Sequence, residues 1–199
     1  MEMIDMMFNN FLNRTLAGNG DSDQHLTTLF GITLQLKAKK VLELGVRWGT
    51  TTEPMLAGVV LNGGHITCID VAPTAWICPE EFKPYYSFIQ SDAIKFLEQE
   101  VEKKSYYDLI YVDDWHAGPH VKKELELIDH ITDNRSIILL HDLMGAGHHP
   151  EYFYPDDVSI WGEEWEGGGP YAAVKELDPN KWEWSTIPVN HGLTILRKK

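Results

Sequence analysis

From residue 40 onward, short apolar runs alternate with stretches of helical spacing, and this alternation restricts the fold more than any other feature. The apolar runs are VLEL (41–44), HITCI (65–69), SFI (87–89), LIYV (109–112) and IILL (137–140). Between them, helix-like patterns cover about 52–62, 91–103 and 119–131. Continuous apolar strands separated by helices are typical of a parallel sheet that is covered on both faces. The sequence therefore predicts an α/β fold.

The two ends of the chain differ from this pattern. Residues 1–17 place apolar side chains at helical spacing, and a linker to residue 23 follows. We expect this helix to pack on the domain or on a second copy of the chain, which would make a homo-oligomer. At the other end, WEWSTIPV and LTILR are separated by Asn190, His191 and Gly192, which predicts an antiparallel hairpin. A length of 199 residues favours a single domain.

Charge and composition exclude several classes of partner. The chain has 17 Lys and Arg against 30 Asp and Glu, a net charge of −13, so it lacks the basic surface that nucleic acids and anionic membranes require. No window approaches the roughly 20 apolar residues of a spanning helix. The first residues carry Glu2 and Asp5 where a signal peptide carries Lys or Arg. The two cysteines form no CxxC pair, which fits a reducing compartment. We expect a cytoplasmic protein.

A carboxylate lies in or just after each predicted parallel strand. These residues are Glu43, Asp70, Asp92, Asp113 and Asp142. In open α/β sheets the ligand crevice lies beyond the carboxyl ends of the strands. Like charges gathered there repel one another unless a positive group lies among them, and an acid within an apolar strand, as at Glu43, is costly to bury. The sequence therefore predicts a cationic ligand, a metal ion, or both at this edge.

The turn after the first strand, VLELGVRWGTTTEP (41–54), narrows the choice of ligand. Gly45 and Gly49 let the backbone pass close to a bound molecule. Thr50 in a capping box with Glu53, or Thr51 in its place, would begin the next helix. The dinucleotide fingerprint GxGxxG and the phosphate-binding GK[ST] are both absent from this turn.

Three segments resemble the cofactor motifs of class I S-adenosylmethionine-dependent methyltransferases. ELGVRWGTT resembles the first motif, ITCIDVAP (66–73) the second and FIQSDAIKFL (88–97) the third. The resemblance covers about residues 25–199 and implies a Rossmann-like, seven-stranded, mostly parallel sheet with helices on both faces and a C-terminal antiparallel hairpin. It implies that the cofactor is S-adenosylmethionine, with Asp70 at the ribose and Asp92 at the adenine. The cofactor residues implied in this way are Glu43, Gly45, Gly49, Thr50, Asp70, Val71, Asp92 and Ala93.

The segment YDLIYVDDWHAGPHVKKELEL (107–127) is similar to small-molecule O-methyltransferases, including the macrocin and sugar O-methyltransferases. This resemblance implies a magnesium ion or another divalent metal on Asp113 and Asp142, with His141 where relatives often have an acid. Because imidazole is a poor magnesium ligand, the identity of the metal stays open. We hypothesise that His116 is the general base of the reaction, acting beside Asp113. Asp114 is either an added ligand or a solvated turn residue.

The long irregular stretch 141–169 is predicted to be a substrate lid. It combines aromatic residues with seven acids and no Lys or Arg, which suits a small sugar-like or cationic acceptor. The leading interpretation is a metal-assisted O-methyltransferase. Two alternatives are a metal-independent N- or O-methyltransferase and a non-enzymatic Rossmann-like scaffold, and S-adenosylmethionine binding separates the enzymes from the scaffold.

Overall fold

The computed structural model describes residues 2–144 and 168–199 of the chain. Most of the predicted lid lies outside these residues. Within the described residues one sheet has the strand order β3-β2-β1-β4-β5-β7-β6, with antiparallel pairs only at β5–β7 and β7–β6. Its strands are β1 (Lys40–Leu44), β2 (His65–Asp70), β3 (Tyr86–Gln90), β4 (Leu109–Val112), β5 (Ile137–Leu140), β6 (Trp182–Ile187) and β7 (Leu193–Lys198). The predicted seven-stranded, mostly parallel sheet with its terminal hairpin is confirmed.

Helices cover both faces of this sheet, as predicted. They are α1 (Glu2–Ala17), α2 (Leu26–Gln35), α3 (Thr52–Asn62), α4 (Ala93–Glu102), α5 (Gly118–His130) and α6 (Gly169–Lys175). Among the described residues, no helix is both long enough and apolar enough to span a bilayer.

Local chemistry explains where several helices begin and end. Asp92 precedes α4 and its carboxylate accepts a hydrogen bond from the backbone N–H of Lys95 at 2.9 Å. Pro119 lies in the first turn of α5, where its missing N–H costs nothing. Gly63 ends α3 in the left-handed conformation at φ 64°.

The sheet separates two apolar layers because successive strand residues point to opposite faces. In β1, Leu42 and Leu44 belong to the layer formed with α4, α5 and α6. Val41 belongs to the layer formed with α1, α2 and α3. Met7 and Phe11 of α1 are buried in this second layer, so the N-terminal helix packs on its own chain. Its predicted role in a homo-oligomer stays a prediction.

The register of the central strands aligns their carboxyl ends. Leu44 pairs with Ile69 of β2 on one side and with Val112 of β4 on the other. Val112 in turn pairs with Leu140 of β5. The loops after β1, β2, β4 and β5 therefore leave the sheet side by side, and the chain crosses over between β1 and β4, where open α/β sheets bind ligands.

Candidate active site

A cavity of about 590 Å³ opens at the carboxyl ends of these strands, a size that suits a small-molecule ligand. Its lining is strongly acidic, with Arg47 as the one Lys or Arg among the described lining residues. The carboxylates that line it are Asp21, Asp70, Asp92, Asp113, Asp114 and Asp142. Four of the five predicted strand-end acids thus share one cavity, and its charge favours a cationic ligand.

Gly45 brings the loop after β1 against the exit of β4. Its φ is 87°, and a Cβ at this position would lie 2.1 Å from the carbonyl oxygen of Asp113. A side chain is therefore excluded both by the backbone conformation and by the neighbouring peptide. Gly49 has φ 69°, and a Cβ there would lie 2.3 Å from the ring of Trp76. Gly45 lines the cavity. Gly49 does not line it, and its lack of a side chain makes room for Trp76.

Asp70, at the end of β2, holds the loop after β1 in place. Its Oδ2 accepts hydrogen bonds from the backbone N–H groups of Val46 and Arg47, both at 2.9 Å. Its Oδ1 accepts one from the N–H of Ala72 at 2.9 Å. A carboxylate offers about four acceptor positions, so one remains for a donor from the cavity.

Glu43 lies behind the loop and not in the crevice, which corrects its expected position. It shares the face of β1 with Val41, toward α3, and its side chain is fully buried. The hydroxyls of Thr51 and Thr52 donate to its two oxygens at 2.7 and 2.6 Å, and the thiol of Cys68 donates at 3.0 Å. Burial raises the pKa of Glu43 to about 7, although these hydrogen bonds oppose the rise.

The start of α3 follows from this arrangement. Thr51 is its N-cap, but the hydroxyl donates to Glu43 and makes no capping bond. The predicted capping box is absent as well, because the carboxylate of Glu53 accepts hydrogen bonds from Asn10 of α1. Thr50 lines the cavity, and its hydroxyl accepts a hydrogen bond from Arg14 at 3.0 Å. Of the other predicted cofactor residues, Val71, Asp92 and Ala93 also line the cavity.

The predicted metal ligands lie together: Asp113 and Asp142 line the cavity, and His141 is buried beside them. His141 Nδ1 is 3.3 Å from Asp113 Oδ1 and 3.1 Å from Asp142 Oδ2. His116 Nε2 is 3.0 Å from the same Asp142 oxygen and 3.6 Å from Asp113 Oδ1. The hydroxyl of Tyr111, fully buried in β4, donates to Asp113 Oδ2 at 2.9 Å. Asp142 adopts φ 61°, which turns its carboxylate out of the strand direction.

The carboxylates and the histidines of this cluster shift one another's pKa values. Burial alone would lower the pKa of His116, but the two carboxylates raise it to about 11. They also raise the pKa of His141 well above its ordinary value. Burial would raise the pKa values of Asp113 and Asp142, but the facing histidines lower both below their ordinary value. The cluster thus holds its carboxylates ionised because positive charge lies among them.

A third histidine, which the sequence pattern did not single out, supports this cluster from behind. His25 is buried, and its Nε2 lies 3.2 Å from the carbonyl oxygen of Asn190. His141 Nε2 lies 3.0 Å from the same oxygen. Since a carbonyl only accepts, both nitrogens carry hydrogen, and His141 Nδ1 faces the carboxylates. No local signal identifies His25, because its partners lie more than a hundred residues away.

A comparison with protein-family models decides the family. A model described as a methyltransferase domain matches residues 42–143, which are 102 of the 199 residues. The chain belongs to this methyltransferase family. A search of curated protein sequences found no match to this methyltransferase.

Solved structures share the fold of this methyltransferase at low sequence identity. An O-methyltransferase from Bacillus cereus in complex with SAH is 14% identical, with a TM-score of 0.66 over 98% of this chain and 91% of that one. An SAH-bound methyltransferase from Podospora anserina is 18% identical, with a TM-score of 0.62 over 97% and 88%. The MycE methyltransferase of the mycinamycin pathway, in complex with Mg, SAH and mycinamycin VI, is 16% identical, with a TM-score of 0.59 over 89% and 49%. This methyltransferase thus spans about half the length of MycE.

Proposed function

We propose that this protein transfers a methyl group from S-adenosylmethionine to a hydroxyl group of a small molecule, with the assistance of a divalent cation. The observation that carries the proposal is one acidic cavity in a methyltransferase fold. Gly45 and Asp70 line it together with Asp113 and Asp142, and the buried His141 faces these last two carboxylates. The Bacillus cereus and Podospora anserina structures hold SAH, and the MycE structure holds both SAH and Mg.

The part of the cavity lined by Gly45, Asp70 and Asp92 suits the cofactor. S-adenosylmethionine carries a sulfonium and an ammonium group, which an acid-lined cavity attracts. Gly45 has no side chain at a position where a Cβ would clash with the main chain of Asp113. Asp70 keeps one acceptor position for a ribose hydroxyl. Asp92 and Ala93 line the wall beyond Asp70, where the adenine would lie.

The part of the cavity lined by Asp113 and Asp142 suits a divalent cation. Asp113, His141 and Asp142 each offer one ligand atom, and these atoms lie within 4.8 Å of one another. His141 Nδ1 faces the two carboxylates at 3.1 and 3.3 Å, while its other nitrogen is fixed by the carbonyl of Asn190, an arrangement common behind metal-bound histidines. A bound cation would supply Lewis-acid stabilisation of the acceptor alkoxide. One imidazole among carboxylates favours Mn²⁺ or Zn²⁺ over Mg²⁺.

His116 is the group that we assign to take the proton of the acceptor. Its Nε2 faces Asp142 and Asp113. The negative charge of these two carboxylates keeps the imidazole ring protonated as long as no other positive group compensates that charge. Once that charge is compensated, His116 loses the cause of its high pKa and can receive a proton at Nε2. The methyl carbon then changes its bond from sulfur to the acceptor oxygen, SAH leaves as the neutral thioether, and the acceptor proton resides on His116. Alignment of the two reactants is the main task of the surrounding residues.

Two measurements on the full-length chain test this proposal. Calorimetric titration with S-adenosylmethionine should show binding, and no binding would favour the scaffold alternative. Release of SAH should then be followed with a panel of catechols, sugars and amino alcohols, before and after EDTA treatment and after return of Mn²⁺ or Mg²⁺. We expect turnover that EDTA abolishes and the metal restores. Turnover that survives EDTA would support the metal-independent alternative, and the acceptor that reacts would separate oxygen from nitrogen transfer.

A further inference from the structure

A second cluster of ionisable side chains lies beside the first one. Asp113 and Asp114 are adjacent at the end of β4, and only Asp113 belongs to the cluster with His141. Asp114 instead lies against α5, where its Oδ2 is 3.2 Å from His120 Nε2. The same nitrogen is 3.6 Å from Glu124 Oε1. His120 and Glu124 share one face of α5 because they are four residues apart in the helix.

Glu124 is the residue in this cluster that demands an explanation. Its side chain is completely buried, and neither of its oxygens has a hydrogen-bond partner among the residues that the structure describes. One oxygen of Asp114 is also buried without a partner in the described ranges. Buried polar atoms are satisfied in nearly all proteins, and a fully buried carboxylate whose nearest partner is an imidazole nitrogen 3.6 Å away is poorly compensated. The two carboxylates converge on one imidazole nitrogen, which has a single hydrogen to share between them.

The spacing of these atoms is the spacing of metal ligands. Two ligand atoms bound at about 2.1 Å to a tetrahedral ion lie roughly 3.4 Å apart. The distances from His120 Nε2 to the two carboxylates are 3.2 and 3.6 Å, and the three ligand atoms lie within 4.8 Å of one another. We propose that Asp114, His120 and Glu124 bind a second divalent cation of the Zn²⁺ class, separate from the site at Asp113, His141 and Asp142.

The character of the ion and its open position follow from the ligands. One imidazole with two carboxylates is a set that Zn²⁺ and Co²⁺ accept and that Mg²⁺ disfavours. Asp114 and His120 line the cavity whereas Glu124 lies behind them, so the fourth position of a tetrahedral ion faces the cavity. Burial and the charge of Asp114 raise the pKa of Glu124 to about 8.

The stoichiometry of bound Zn²⁺ tests this proposal, without cofactor or acceptor and thus independently of methyl transfer. The full-length chain is equilibrated with buffered Zn²⁺, and bound metal is measured by mass spectrometry. We expect two ions in the unaltered protein, one in Glu124→Gln, one in the control Asp142→Asn, and none in the double variant. Co²⁺ should give a tetrahedral absorption spectrum that Asp142→Asn keeps in part.

Glu124→Gln keeps the size of the buried side chain, and circular dichroism checks its fold. If that variant does not fold, His120→Asn, at the edge of the cavity, takes its place in the same comparison. The proposal is overturned if the substitution leaves two Zn²⁺ ions bound, or if the unaltered protein binds one ion that disappears in Asp142→Asn and remains in the α5 variant.

Discussion

His25 and His141 point their Nε2 atoms at the same acceptor, the carbonyl oxygen of Asn190, and their rings meet edge to face with centroids 5.4 Å apart. This shared acceptor joins the turn before α2 to the loop before β7. It also places a hydrogen on His141 Nε2 and turns Nδ1 toward Asp113 and Asp142. Two residues that are distant in sequence thereby determine which atom of His141 is offered to the acidic cluster.

Replacing either histidine with phenylalanine should separate these two roles. His25→Phe loses one hydrogen bond to Asn190 and keeps the ring volume, so the free energy of unfolding should fall by about 1 kcal/mol. His141→Phe also removes one of the two imidazoles that face both Asp113 and Asp142, and the loss should reach about 3 kcal/mol or more. Urea denaturation in EDTA measures both. Equal losses in the two variants would contradict the special position of His141.

Asp70→Asn should weaken cofactor binding. The amide keeps one oxygen, and its NH₂ group must then face a backbone N–H, so the loop after β1 loses part of its support. We expect the affinity for S-adenosylmethionine to fall by about 10- to 100-fold, the cost of one or two unsatisfied polar groups. Asp21→Asn, an exposed acid of the same cavity, is the control in calorimetry. An equal loss in the control would mean that overall charge, and not Asp70, sets the affinity.

Glu43 should make the stability of the protein depend on pH. Its pKa is about 7 in the folded protein and near 4.5 when exposed, so the unfolded chain ionises first as the pH rises. Glu43 is therefore most favourable to folding below its unfolded pKa, and this contribution is lost between about pH 4.5 and 7, at up to about 1.4 kcal/mol per pH unit.

Glu43→Gln removes this titration. Urea denaturation across the same pH range should show that the unfolding free energy of the unaltered protein falls relative to that of the variant as the pH rises. Glu98→Gln, on the exposed side of α4, should change nothing in this comparison. A constant difference between Glu43→Gln and the unaltered protein would show that Glu43 does not titrate in this range.

His116→Ala tests the assignment of the base. Turnover should fall on the order of 10²- to 10⁴-fold, the usual contribution of a general base, while the affinity for S-adenosylmethionine stays the same. His191→Ala is the matched control, because His191 also faces Asp142, with its Nδ1 3.8 Å from Oδ1, and we assign it no proton transfer. The assignment fails if His116→Ala turns over at the normal rate or if both variants lose activity equally.

The parts of the fold that the sequence predicted are those with a local cause. Strands buried on both faces are continuous apolar runs, so Leu109–Val112 and Ile137–Leu140 were recognisable from composition. Since these strands are parallel and in register, Val112 beside Leu140, the acids that follow them had to meet at one edge.

The orientation of Glu43 had no such signal. A strand that is apolar on both faces carries no alternation, so the sequence does not tell whether residue 43 points to the crevice or to α3. The hydroxyls of Thr51 and Thr52 hold Glu43 on the α3 side by hydrogen bonds. In the sequence, threonines at this place are equally consistent with helix caps. His25 was missed because its acceptor, Asn190, lies 165 residues away, and His120 with Glu124 reads as part of an ordinary amphipathic helix.

The contact at Gly45 has a consequence for how a donor and an acceptor would be held. The loop on which the cofactor would rest touches the main chain of Asp113 directly, with no side chain between them. The distance between the two reactants would then be set by peptide groups, which have fewer rotatable bonds than side chains. Methyl transfer depends on in-line alignment of donor and acceptor. A direct contact between backbones would keep that alignment constant, while the surrounding side chains would determine the preference for the acceptor.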